Sequence, residues 1–101
     1  MSISETELRE VTAQNVRVTN DSLTVDLADG RTITVPLAWF PRLENGTPAE
    51  CDNWRFIGNR GGIHWPDLDE DISVASLLAG RRSGESQTSL RRWLQNRKSL
   101  A

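Results

Sequence analysis

One histidine, one cysteine and one run of acids hold most of the chemistry available to this chain of 101 residues. His64 stands between Ile63 and Trp65 in a stretch that reads as a strand. A lone imidazole can act as a general base or a metal ligand, because its charge changes near neutral pH. Nothing pairs with it at motif spacing, and alternation turns its ring to the face opposite Ile63 and Trp65. A hydrogen-bonded structural role is the simpler reading. Asp67, Asp69, Glu70 and Asp71 look like a cation loop. A calcium loop opening at Asp67 needs glycine where Ile72 stands and a bidentate glutamate where Leu78 stands. The acids therefore read as the start of a helix, where negative charge meets the positive end of the dipole. A docking surface for a basic partner is the second reading. Cys51 lies between Glu50 and Asp52, which disfavour a thiolate, so it reads as buried and inert. Gly58-Asn59-Arg60-Gly61-Gly62 is followed by a strand pattern and not by a helix, so it reads as a hairpin turn and not a phosphate cradle. No cofactor or metal site is expected.

The C-terminal segment is the candidate binding element. Leu90, Trp93, Leu94 and Arg97 share one helical face, with Arg91 and Arg92 beside it. Residues 81–101 carry Arg81, Arg82, Arg91, Arg92, Arg97 and Lys98 against Glu85 alone, a net +5, whereas residues 1–80 carry six Arg and thirteen acids, a net −7. Such asymmetry marks interaction tails. The apolar face can dock on the chain's own sheet or on another protein, and the arginines can meet nucleic-acid phosphates. The division expected is an α+β domain over 1–80 and a basic linker plus amphipathic helix over 81–101. Trp39, Phe40, Trp54, Phe56 and Trp65 are the natural core aromatics, with a tryptophan at a partner surface as the alternative.

The bulk composition is that of a soluble domain, with 26% charged and 37% hydrophobic residues. No run approaches the ~18 apolar residues of a membrane span, and Met1-Ser2-Ile3-Ser4-Glu5 does not read as a signal peptide. A single cysteine with no export signal implies a reducing cytoplasm. The sequons at Asn20 and Asn45 then read as chance matches at turns.

The elements that position these residues follow from periodicity. Val16 and Val18, then Leu23, Val25 and Leu27, then Ile33, Val35 and Leu37 alternate with polar residues, predicting three antiparallel strands. Keeping one face apolar sets Val18 opposite Leu23 across a two-residue Asn20-Asp21 loop. It also sets Val25 opposite Ile33 across a three-residue Ala28-Asp29-Gly30 loop with Gly30 left-handed. Pro36 makes the third strand an edge or ends it. Ser22–Leu27 or Arg31–Val35, left as an exposed edge, can pair across a homodimer. Trp39 to Leu43 leaves the sheet. Thr47-Pro48-Ala49-Glu50 predicts a capped helix with Cys51 and Trp54 inward. Arg55–Gly58 and Gly62–Trp65 predict a second hairpin. A helix carrying Ile72, Val74, Leu77 and Leu78 follows, capped by Ser73 or Asp71 and stopped by Gly80. Ser4 and Glu7 suggest one capped turn at the start, and Ser89 suggests the cap of the last helix.

Two dense stretches carry a family likeness. Asp29-Gly30 with Trp39, Pro41 and Arg42, and His64-Trp65-Pro66 with Asp69-Glu70-Asp71, resemble the signature of a small bacterial family, domain-of-unknown-function family 2442, over roughly Val16 to Gly80. The resemblance implies a compact α+β domain, a small antiparallel sheet with two short helices packed on it, and no established activity. Some relatives look like this domain fused to a helix-turn-helix, and others are encoded beside a second small protein in a toxin–antitoxin-like arrangement. The tail here is too short for a full helix-turn-helix.

The function expected is a non-enzymatic, antitoxin-like regulatory module that binds a protein partner through Leu90, Arg91, Arg92, Trp93, Leu94 and Arg97. The alternative is a DNA-associated regulator using the same arginines. A hydrolase or transferase built on His64 and the neighbouring carboxylates comes third, since no base–nucleophile set is complete.

Overall fold

The computed structural model describes residues 11–100; the suggested turn at Ser4 and Glu7 lies outside them. The architecture is α+β, built on two three-stranded antiparallel sheets. The first comprises β1 (Ala13–Val18), β2 (Ser22–Leu27) and β3 (Thr32–Pro36) in that spatial order. Val18 pairs with Leu23 across Asn20-Asp21, and the Thr19 N–H donates to the Ser22 carbonyl at 2.9 Å. Val25 pairs with Ile33, the Leu27 N–H donates to the Arg31 carbonyl at 2.8 Å, and Gly30 takes φ +95°. Both loop lengths therefore follow the face argument. Only a residue without Cβ takes that backbone freely, and Asp29 closes the turn by accepting the Arg31 N–H at 3.0 Å.

Ala13 and Val16 are both buried although they stand three apart. A bulge between Ala13 and Asn15 absorbs the extra residue and restores the phase. β2 is central, so Ser22–Leu27 offers no edge for self-pairing. β3 is an edge and stops at Pro36.

A 3₁₀ turn (Leu37–Trp39) and α1 (Pro41–Glu44) follow, where only a departure from the sheet was expected. α2 (Pro48–Asp52) has the expected box: Thr47 Oγ1 accepts the Glu50 N–H at 3.1 Å, and a Glu50 carboxylate oxygen accepts the Thr47 N–H at 2.9 Å. Gly46 before it is required by close approach. A Cβ there would lie 2.9 Å from a Leu68 methyl and 3.3 Å from the Cys51 sulfur.

The second sheet, β4 (Arg55–Ile57), β5 (Gly62–Trp65) and β6 (Glu70–Ser73), overturns one expectation. The acids do not open a helix. Pro66 to Asp69 form a turn, with Asp69 at φ +50°, that sends the chain back along β5. Glu70 pairs with Trp65, Asp71 with His64 and Ile72 with Ile63. The return is worthwhile because it buries Leu68 and Ile72 against the core. α3 (Val74–Leu78) starts only afterwards. Ser73 caps it by accepting the Ser76 N–H at 2.9 Å, and Asp71 plays no part. Gly80 ends it with bonds from its own N–H to Leu77 and from Arg81 to Ser76.

The sheets share one core in which Trp65, Leu23, Leu27, Leu43, Ile63, Leu68, Val25 and Val74 are fully buried. One main-chain bond joins them at the Gly58–Gly61 turn, where the Arg60 carbonyl accepts from Ala13 at 2.9 Å. The Gly61 carbonyl accepts from Val74 at 2.9 Å, tying the start of α3 to the same turn. Of the expected core aromatics, Trp65 and Phe40 are buried, while Trp39, Trp54 and Phe56 are partly covered, with Trp54 against Phe56 at 5.0 Å.

Candidate functional site

The last helix, α4 (Gln87–Leu100), and the segment before it are held by the rest of the chain. The Ser83 N–H donates to the Trp39 carbonyl at 2.9 Å, and the Arg82 guanidinium lies 4.9 Å from the centre of the Trp39 ring. Glu85, the single acid of the tail, receives Arg42 as a fork, from Nε at 2.9 Å and Nη2 at 2.6 Å. The helix is capped by Ser86 and not by Ser89. Ser86 Oγ accepts the Ser89 N–H at 3.1 Å, and the Ser89 hydroxyl donates to Glu85 at 2.8 Å. Composition marks this stretch as a linker because its anchors lie more than forty residues away in sequence.

Leu90, Trp93, Leu94 and Arg97 form the half-buried face. Trp93 packs on the core, with the Arg42 guanidinium 5.1 Å and the Arg97 guanidinium 4.7 Å from its ring centre. Such contacts are each worth about 0.5–2 kcal/mol. Arg97 also reaches back to Glu50 of α2 at 2.6 Å. The helix is thus tied near both ends by an arginine–carboxylate pair, and its apolar anchors face its own domain. Arg91 and Arg92 remain exposed, next to exposed Gln95 and Asn96.

Arg42 is the hub. Besides Glu85, its Nη1 donates to the carbonyls of Leu68 at 3.3 Å and Asp69 at 3.1 Å. One guanidinium therefore ties the Pro66–Asp69 turn, α1 and the start of α4 together. Its own charge is reinforced and the Glu85 carboxyl is held below its usual range by the shared hydrogen bonds. The pair is well covered, with side chains 16% and 10% exposed, so it counts for more than a surface pair.

The acids around Asp67 do not converge. Asp67 accepts from the Asn53 amide at 2.8 Å, the Asp69 carbonyl faces Arg42, Glu70 accepts the Asp71 N–H, and Asp71 meets His64 Nδ1 at 2.5 Å. Burial pushes the Glu70 carboxyl up. His64, half-buried, and its β6 neighbour Asp71, exposed, lie on the sheet face opposite Ile63 and Trp65, as alternation requires. The Cys51 thiol donates to the Leu43 carbonyl, and burial, with Asp52 and Glu50 nearby, pushes its pKa up. Among the described residues no group of three His, Cys, Asp or Glu side chains is placed to hold a metal ion. Nor is any helix long and apolar enough to cross a membrane.

Residues 13–83 match the family described as Protein of unknown function (DUF2442). The chain belongs to this family. A crystal structure of a protein of unknown function from Rhodospirillum rubrum superposes with a TM-score of 0.65 at 26% identity, over 80% of this chain and 98% of that one. A solution NMR structure of an uncharacterized protein from Chromobacterium violaceum has the same fold, with a TM-score of 0.62 at 22% identity, over 80% of this chain and 74% of that one. No curated protein matches.

Within the DUF2442 match, several of the residues that suggested the family now have structural tasks. Asp29 and Gly30 make the three-residue turn, and Pro41 opens α1. Trp39 receives Ser83 and Arg82, and Arg42 is the hub. The Trp65 indole N–H donates to the Cys51 carbonyl at 2.9 Å, and Pro66 leads into the turn closed by Asp69. The family match stops at Ser83, so Glu85 and Arg97, which Arg42 and Glu50 hold, lie outside the matched residues.

Glu50 connects α4 to pH. Its carboxyl is lowered from 4.5 to about 2, first by the Arg97 guanidinium and next by the Thr47 N–H, with burial opposing. A depressed carboxyl adds stability that is whole above about 4.5 and is lost as pH falls toward 2. Amide protection factors over residues 94–97 should therefore drop across that window. Glu50→Gln should flatten the drop while costing under ~1 kcal/mol at neutral pH. Protection that falls equally in the variant would show that other groups govern it.

Proposed function

We propose that this DUF2442 chain is a non-enzymatic binding module of an antitoxin-like, regulatory kind, acting in the cytoplasm, where Cys51 stays reduced. Its ligand is an acidic protein surface, and its contact face is the outer side of α4. The observation that supports this most is the clamping of α4 by Arg42–Glu85 and Arg97–Glu50, which leaves Arg91 and Arg92 outward on a preorganised helix. Preorganisation lowers the ordering cost that a free segment pays on binding. Of the six tail residues singled out by sequence, Leu90, Trp93, Leu94 and Arg97 support the helix from within, and Arg91 and Arg92 make the contact.

A DNA-associated role is the second reading. The exposed row Arg91, Arg92, Gln95 and Asn96 combines phosphate-binding with base-reading side-chain types. Tagged wild type and the Arg91→Glu/Arg92→Glu variant, retained on beads with source-cell lysate at two salt concentrations, separate the two. A single stoichiometric protein held by wild type and weakened at least tenfold by the double reversal is the expected result. Nucleic acid released steeply by salt favours the second reading. A protein retained equally by both chains would remove α4 as the contact face.

A further inference from the structure

A second surface, separate from the outer side of α4, has the opposite charge. Between the end of β1, α1 and α2 lies a groove of about 320 Å³. Its floor is apolar: Leu37, Leu43 and Cys51 are buried there, and Val18 forms one wall. Its mouth carries Glu44 and Asp52, both exposed. Among the described residues neither carboxylate has an ion-pair partner, whereas Glu50 and Glu85 are each met by an arginine. The volume is at the small end for a ligand site and suits one large aliphatic side chain.

The neighbouring backbone adds a direction. β1 is an edge strand. Since the Thr19 N–H bonds to the Ser22 carbonyl, the next pair, Val18 with Leu23, is the non-bonded kind. The N–H and C=O of Val18 therefore point away from β2, along the sheet edge, and Val18 also lines the groove. A main-chain donor and acceptor beside an apolar hole is the arrangement that takes an extended peptide by strand addition.

We propose that this groove binds an extended segment of a partner protein, placing an apolar side chain over Leu43 and Cys51 and an adjacent lysine or arginine against Glu44 and Asp52. The apolar floor selects the anchor, and the two uncompensated carboxylates select positive charge beside it. The partner's backbone continues the first sheet at Val18. This surface is distinct from Arg91 and Arg92, so the chain can hold a basic segment and an acidic surface at once, and either site can be lost without the other.

The test is an NMR titration of the ¹⁵N-labelled full chain with three short amidated peptides: acetyl-Arg-Leu-Lys-Val, acetyl-Glu-Leu-Glu-Val and acetyl-Arg-Ser-Lys-Val. The first should shift the amides of Val18, Thr19, Leu43 and Cys51 and saturate in the millimolar range. The other two should leave those amides in place. Glu44→Gln/Asp52→Asn, both at exposed positions, should keep the spectrum dispersed and weaken the first peptide about fivefold, the sum expected of two rim charges. Equal binding of the acidic peptide, equal binding of the serine peptide, shifts confined to α4, or no shift at all would each overturn the assignment. Movement of the groove amides on raising protein concentration alone would assign the groove to a second copy of this chain and reject the partner segment.

Discussion

Arg42→Ala is expected to lower stability by roughly 2–4 kcal/mol and to loosen α4 from the domain. The figure is that for breaking a covered ion pair by removing one partner, taken toward the low side because Arg42 and Glu85 are partly exposed. The loss has three sources. Glu85 keeps its charge at a largely covered position without its fork. The carbonyls of Leu68 and Asp69 lose their donor. The Trp93 ring loses one of its two guanidinium neighbours. Urea unfolding reads the first effect, and amide exchange over residues 87–97 reads the second. Arg42→Lys should recover only a minor part, since an ammonium keeps the charge but cannot fork onto Glu85 while also reaching both carbonyls. Arg42→Ala combined with Glu85→Ala should cost less than the two single changes added, because the buried charge goes with its partner. If α4 exchange stays at the wild-type level in Arg42→Ala, the hub reading is wrong.

Trp65→Ala should be the most damaging single change in the core, at about 3–5 kcal/mol. The indole is fully buried, so truncation leaves a cavity with little to collapse into it. The same change also strips the Cys51 carbonyl of the indole N–H. That carbonyl lies in the last turn of α2, where helix carbonyls lack intrahelical donors. Against a total stability typical of small domains, about 5–15 kcal/mol, the variant loses a large part of its margin. Trp65→Phe separates the two terms: most of the apolar volume stays and the hydrogen bond goes, for roughly 1–3 kcal/mol. A Trp65→Phe variant as stable as wild type would mean that the Cys51 carbonyl finds another donor.

Much of the first sheet was legible because its constraints are local. Pairing Val18 with Leu23, and Val25 with Ile33, follows from period-two alternation plus the rule that opposed residues share a face. That rule selected the two-residue loop at Asn20-Asp21 and the three-residue loop at Ala28–Gly30. The Thr47–Glu50 box was equally legible, since its donor and acceptor sit three residues apart. β6 was not. Glu70-Asp71-Ile72-Ser73 is charged enough to suit a helix start, and nothing inside it shows that Ile63 and Trp65 need a strand beside them. The competition was won by the burial of Leu68 and Ile72, a term that exists only once β5 is in place.

The candidate site divides in the same way. Periodicity alone placed Leu90, Trp93, Leu94 and Arg97 on one face of a C-terminal helix and left Arg91 and Arg92 beside it. The residues of the DUF2442 likeness, from Asp29-Gly30 to Asp69-Glu70-Asp71, marked the family. What the helix face touches was a tertiary decision. In the sequence Glu85 is an isolated acid in a linker and Glu50 serves the cap of its helix; in the fold Arg42 stands opposite the first and Arg97 reaches the second. Patterns of three and four residues record forces that act along the chain. Ion pairs and cavities join residues more than forty positions apart, and their energy depends on distances and dielectric that only the folded packing sets.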